Sequence, residues 1–207
     1  ALRDVVLPAA AEAAAGAAGQ VKGRTLHVVT RAYAVGGHTR LVKRWIELLD
    51  DDRHAIALVG QRTAADPRWL VPQRRDVPIV DLWALGLRRH EQRAAMLSEL
   101  MRQAQRVVLH IHPDDAVSVA AAHRAAGADI RLLNHADHVA WLGAALPVTL
   151  LNLRPGGARL AASLRGRLLA HGDVVPLPLS LPTLPSRTQA RETLGLGAGD
   201  VMLLTVA

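Results

Sequence analysis

Cysteine and phenylalanine are absent from the 207 residues, and tyrosine occurs once. Without cysteine there is no disulfide, no thiolate nucleophile and no sulfur ligand for a metal. Four tryptophans and the lone tyrosine are the whole aromatic complement. No run of basic residues carries interleaved aromatics, so the stacking platform of a nucleic-acid binder is lacking and no nucleic-acid partner is expected. Long apolar runs are lacking too: nothing approaches the ~20 residues a membrane helix requires. The Ala-rich start, VVLPAAAEAAAGAAG, is interrupted by Pro8 and Glu12 and has no basic flank, unlike a secretory leader. A cytoplasmic location is the expectation. Lysine is nearly missing as well, only Lys22 and Lys43, so arginine supplies almost all of the 25 basic side chains. The preference for arginine follows from an Ala- and Arg-heavy, GC-rich coding style. The net charge of +7 is independent of that choice. It favours phosphate-bearing ligands or peripheral contact with the anionic inner face of a membrane.

What is present is an alternation of apolar runs and helical stripes. TLHVVT (25–30), HAIALVG (54–60), VPIVDL (77–82), RVVLHIH (106–112), DIRLLNH (129–135) and VTLLNLR (148–154) read as buried strands. Between them, Leu41, Val42, Trp45, Ile46, Leu48 and Leu49 share one helical face, and Ala94, Leu97, Leu100, Met101 and Ala104 another. A further helix is expected after Pro113, with Asp114 as its N-cap, ending near Gly127. Strands apolar throughout and separated by helices imply a parallel sheet with helices on both faces. Ligands of such sheets bind beyond the carboxyl ends of the strands. Those ends are 30–38, 112–115 and 134–138, where most of the chemically unusual residues lie.

Three motifs stand there. Gly36-Gly37 precedes a helix, whose free N–H groups and dipole attract an anion; the bland alternative is a tight strand-to-helix turn. The sequence is neither G-x-G-x-x-G nor a P-loop. His110-Ile111-His112 places two imidazoles on one side of a strand end. NHADHVAWLG (134–143) gathers Asn134, His135, Asp137 and His138 directly after a strand, and His135 and His138 would share a face if the loop entered a helix. These imidazoles and carboxylates are metal-ligand types, or sugar and proton contacts, or structural groups. A serine-hydrolase elbow, G-x-S-x-G, does not occur.

In this order the motifs LHVVTRAYAVGGHTRLVKRW, VLHIHPDD, IRLLNHADH, VVPLPLSLPTLPS and RETLGL resemble the N-terminal half of a GT-B glycosyltransferase of the family 4-like group, over roughly residues 23–207. The resemblance implies an α/β, Rossmann-like acceptor-side domain over 23–173, preceded by an Ala-rich helix or upstream segment at 1–22. A Pro-rich crossover at 174–186 would lead to the start of a truncated nucleotide-sugar domain at 187–207, with VMLLTVA as its first strand, and this stretch alone would be inactive. It implies transfer of a sugar from a nucleotide-sugar donor to a glycan or glycolipid acceptor, with retention, and with no bound metal or other cofactor. His135 would contact the donor sugar at the catalytic centre. Gly36 and Gly37 would face the donor diphosphate with His38 and Arg40 beside them. His112 would line the acceptor side, with Asn134, Asp137 and His138 around His135. The rival readings are a non-enzymatic α/β ligand-binding domain and a metal-dependent hydrolase.

Overall fold

Six of the seven strands start from a run of residues that can be buried on both faces. In the computed structural model, which describes residues 8–49, 53–62, 67–71, 76–165, 172–176, 183–197 and 199–205, these runs pair in parallel. The strands are β1 (Thr25–Val29), β2 (His54–Leu58), β3 (Ile79–Asp81), β4 (Arg106–His110), β5 (Ile130–Asn134), β6 (Thr149–Asn152) and β7 (Gly172–Val174). Their order is β3-β2-β1-β4-β5-β6-β7, an all-parallel, Rossmann-like α/β sheet. Each strand is shorter at its carboxyl end than the apolar run suggests. Residues such as 59–60 and 111–112 lie beyond the strand ends.

The helices are α1 (Pro8–Val21), α2 (Gly37–Leu48), α3 (His90–Gln103), α4 (Ala116–Arg124), α5 (Pro155–Arg165) and α6 (Arg187–Thr193). One sheet face carries Leu26, Val28, Ala55, Ala57, Val107, Leu109, Leu132 and Leu150, and α1, α3, α4 and α5 bury their apolar residues against it. Ala17 and Val21 of the Ala-rich helix are part of this core. The other face is covered by α2. Val42 and Ile46 pack on Val29, Ile56 and Leu58, while Leu41 and Trp45 lie against Val108, Leu133 and Leu151. Leu48 and Leu49 are exposed, which narrows the stripe expected for α2. β7 came from no apolar run: Gly172, Asp173 and Val174 pair with Leu150, Leu151 and Asn152 on the edge of the sheet.

The chain divides into two compact units, Ala1–Leu177 and Pro178–Ala207. Residues 177–182 of the Pro-rich crossover lie outside the described residues. In the second unit, Ser186 caps α6 in a reciprocal box with Gln189. Arg191 holds the following turn through the carbonyls of Gly197 and Asp200. Residues 201–205 form no strand. Among the described residues of this unit there is no other strand to pair with, and Val201, Leu203 and Leu204 are exposed.

Candidate functional site

β1 connects onward to β2 on one side and lies against β4 on the other, so the sheet's connections reverse between β1 and β4. A crevice opens there beyond the strand ends. Its floor is stitched by Thr30, whose hydroxyl donates to Asp115 Oδ2 (2.6 Å) and accepts from the His112 N–H (2.9 Å). Asp115, rather than Asp114, caps α4: it accepts from the Ser118 N–H at 2.9 Å and the Ser118 hydroxyl at 2.8 Å. Both oxygens are therefore engaged in holding the crevice together.

At the mouth, α2 begins at Gly37 with Gly36 as N-cap and no side-chain cap. Gly36 has φ 131° and ψ 150°, a conformation that side chains rarely adopt. A Cβ on either glycine would meet nothing within 4 Å. No side chain caps the first N–H groups of this twelve-residue helix. His38, in the first turn, stacks on His135 with ring centroids 4.5 Å apart and planes at 19°. Its ring lies 5.8 Å from that of His112 and 6.3 Å from that of His110, and Tyr33 stacks on the far side of His112. The structure therefore brings His38, His112 and His135 together beside Gly36 and Gly37. Arg40 is exposed on α2.

Behind this cluster runs a chain of imidazoles that sequence reasoning missed. His54 Nε2 lies 3.0 Å from the Leu49 carbonyl, His27 Nε2 3.1 Å from His54 Nδ1, and His110 Nε2 3.0 Å from His27 Nδ1. A carbonyl only accepts, so His54 donates from Nε2 and accepts at Nδ1. His27 must then donate from Nε2, and its own Nδ1 receives the His110 Nε2–H. The polarity of all three rings is fixed from one end. It leaves His110 Nδ1 as a buried lone pair without a protein partner. His38 Nε2 is likewise buried and unpartnered.

Burial, reinforced by neighbouring imidazoles, keeps His27, His38, His110 and His135 neutral. The His27 pKa falls to about 3 through burial and the His54 charge. That of His38 falls to about 4 through burial and then His135 and His112, against a hydrogen bond to the His110 backbone. His110 is pushed well down by burial first, and His135 is lowered for the same reason. The signal available in the sequence was one histidine in each of the runs LHVV, HAIAL and VVLH. Their alignment depends on strand register, with His27 opposite Ile56 and Val108.

The loop after β5 is arranged differently from expectation. Residues 135–139 form turns and no helix, so His135 and His138 share no helical face. Asp137 turns away to receive Arg154 in a two-pronged ion pair, Nε to Oδ2 at 2.8 Å and Nη2 to Oδ1 at 2.9 Å. Arg154, foremost by these hydrogen bonds, holds the Asp137 carboxyl below the usual carboxylate range. His138 is exposed, 3.8 Å from the same carboxylate. Asn134 is buried and donates to Asn152 Oδ1 at 2.9 Å, leaving its own Oδ1 unpartnered. With His112, His135, Trp141 and Gly143 it lines a small cleft.

The ion pair allows a test with its own control. A Cβ on Gly157 would fall 2.5 Å from Asp137 Oδ2, whereas one on Gly156 meets only the end of Arg159 at 3.8 Å. Gly157→Ala should destabilise the domain by about 1–3 kcal/mol through overpacking, while Gly156→Ala should be neutral or slightly stabilising. Urea unfolding of both variants measures the difference. Equal midpoints would mean that Asp137 yields without cost.

Among the described residues, no group of three or more His, Asp or Glu side chains is arranged to hold a metal ion, and no helix is long and apolar enough to cross a membrane. No protein-family model, curated protein or solved structure matches the chain. The arrangement itself offers an uncapped helix N-terminus suited to an anion and, beside it, neutral imidazoles able to exchange hydrogen bonds with hydroxyl groups.

Proposed function

We propose that this chain carries the acceptor-side domain of a glycosyltransferase that uses a nucleotide-sugar donor. The observation that carries the reading is the uncapped N-terminus of α2 behind Gly36, at the sheet's switch point, with His38 stacked on His135 and His112 tilted against His38 beside it. A diphosphate placed at that N-terminus puts its sugar next to the imidazoles. Neutral rings accept from or donate to sugar hydroxyls without attracting a competing anion. As the bond to the leaving diphosphate breaks, the negative charge that develops would be stabilised by the α2 N–H groups, which are already oriented for it. His135 stands nearest the transferred sugar and, stacked on His38, is held in one orientation. Asp137 is assigned the structural duty of holding Arg154 and not a part in the reaction.

The test is sugar transfer by the intact protein. His135→Ala should lower kcat by about a hundredfold or more, in the range of a lost acid–base or electrostatic contact, with unchanged circular dichroism. Turnover at the wild-type level would remove His135 from the site.

A further inference from the structure

Away from the imidazoles, three arginines converge on one tryptophan. The Arg62, Arg88 and Arg93 guanidinium carbons lie 4.9, 4.4 and 5.4 Å from the Trp83 ring centroid. Arg31 joins them. Its Nε and Arg93 Nη1 both lie within 4 Å of the point where a side chain on Gly60 would begin, at 3.8 and 3.7 Å. These residues follow β1 (Arg31), β2 (Gly60, Arg62) and β3 (Trp83, Arg88) or sit in the first turn of α3 (Arg93), so the cluster occupies the carboxyl edge of the sheet. That is the edge at which parallel sheets bind ligands.

Among the described residues, none of the four arginines forms an ion pair with a carboxylate. The nearby acids are already engaged: Asp81 Oδ1 takes the Trp83 and Ala84 N–H groups, and Asp115 is held by Thr30 and Ser118. Arg93 is the most informative member. It is buried, donates from Nη1 to the Val59 carbonyl at 2.9 Å, and leaves its Nε–H buried with no partner. Burial first and then the charge of Arg62 press its pKa down, against the opposing pull of the Asp115 carboxylate. A buried guanidinium donor left unfilled beside other cations is costly, and an oxyanion removes that cost. Stacking on Trp83 explains why the guanidinium planes are held, but not why so many positive charges share one ring. Arg88 is further fixed by donating to the Trp83 carbonyl at 2.6 Å, so the cluster is organised before any ligand arrives.

We propose that Arg31, Arg62, Arg88 and Arg93 form a binding site for a phosphate monoester or diester group, with Trp83 as the plate on which the guanidinium groups are held. As an anion site it stands independently of the transferase reading. As the place where an anionic acceptor is recognised it rests on that reading, and it then names the acceptor's chemistry: a hydroxyl compound carrying a phosphate.

The experiment uses the full 207-residue chain, labelled with nitrogen-15, and inorganic phosphate at constant ionic strength. Saturable shifts of the Arg93 Nε–H and Trp83 indole signals are expected, and exchanging phosphate for chloride should abolish them. Arg62→Gln, at an exposed position that leaves the core intact, should weaken phosphate binding about tenfold. Shifts that merely track ionic strength, or an affinity unchanged in both Arg62→Gln and Arg88→Gln, would overturn the site. Two further probes separate the sources of the phosphate. Competition by glycerol 3-phosphate assigns a soluble ligand, and sedimentation with phosphatidylglycerol vesicles that Arg62→Gln abolishes assigns a lipid headgroup. Binding of neither probe overturns the proposal. Transfer activity is not part of these readouts, so wild-type turnover by His135→Ala in the intact protein refutes the transferase reading and leaves the anion site standing.

Discussion

Acidification from pH 7 to pH 4 should unfold the sheet domain in one steep transition, with several protons taken up. His27 and His38 have ordinary values near 6.5 when unfolded, and about 3 and about 4 when folded. Their folded values are depressed, so above pH 6.5 both states are neutral and the stabilisation is fully present. As the pH falls below 6.5 the unfolded chain takes up protons that the folded one refuses, and stability drops. By pH 4 each ring costs roughly 3 kcal/mol, against a total stability of about 5–15 kcal/mol for a typical domain. His110 and His135 act in the same direction. The groups that face these rings are other imidazoles: His54 from β2, His110 and His112 from β4 and its loop, His38 from α2 and His135 after β5. Trp45, edge-on to His27 and His110, brings no charge to the cluster. Urea midpoints across this range measure the effect. His27→Gln, which removes the ring titrating lowest among those with a stated value, should flatten the acid limb even if it lowers stability at pH 7. A midpoint constant down to pH 4.5 would mean that the chain opens locally to hydrate these rings.

The same chain of imidazoles shows where sequence reading reaches its limit. The parallel sheet was legible because a strand buried on both faces has to be apolar along its whole length, and six such runs were separated by helical stripes. β7 escaped because Gly172-Asp173-Val174 carries no such run; it forms where β6 offers an unpaired edge. VMLLTVA read as a strand on composition alone, yet a strand needs a neighbour to hydrogen-bond, and its described residues have none within their unit. The site was legible where chemistry lies close along the chain. Gly36, Gly37 and His38 are adjacent, and the rule of carboxyl ends brought them together with His112 and His135. Contacts set by register or distant pairing were not. His27, His54 and His110 meet only because three strands align as they do, and the arginines on Trp83 span residues 62 to 93. Asp137 appeared available for chemistry until Arg154, seventeen positions on, proved to occupy both oxygens.

Replacing Gly37 by valine should leave the domain as stable as before and cut sugar transfer by at least about tenfold, the loss of a single anion contact. Its neighbour serves as the contrast. Gly36 sits at φ 131°, so Gly36→Val forces a side chain into strained backbone at a cost of about 1–3 kcal/mol whatever the loop is for. Gly37 has no such constraint: it is the first helical residue, and a Cβ there meets nothing within 4 Å. Valine is also a better helix former than glycine, so the folded protein has no reason to weaken. If the space over the helix N-terminus is empty in function, nothing happens. If a diphosphate approaches those N–H groups, the two methyl groups of valine stand where its oxygens must come, and the loss appears as a raised KM for the donor. Thermal unfolding alongside steady-state kinetics separates the outcomes. Unchanged stability with a raised KM assigns the loop to the donor. Unchanged stability with unchanged kinetics reduces the glycine pair to a turn, with the conformation of Gly36 as its entire reason.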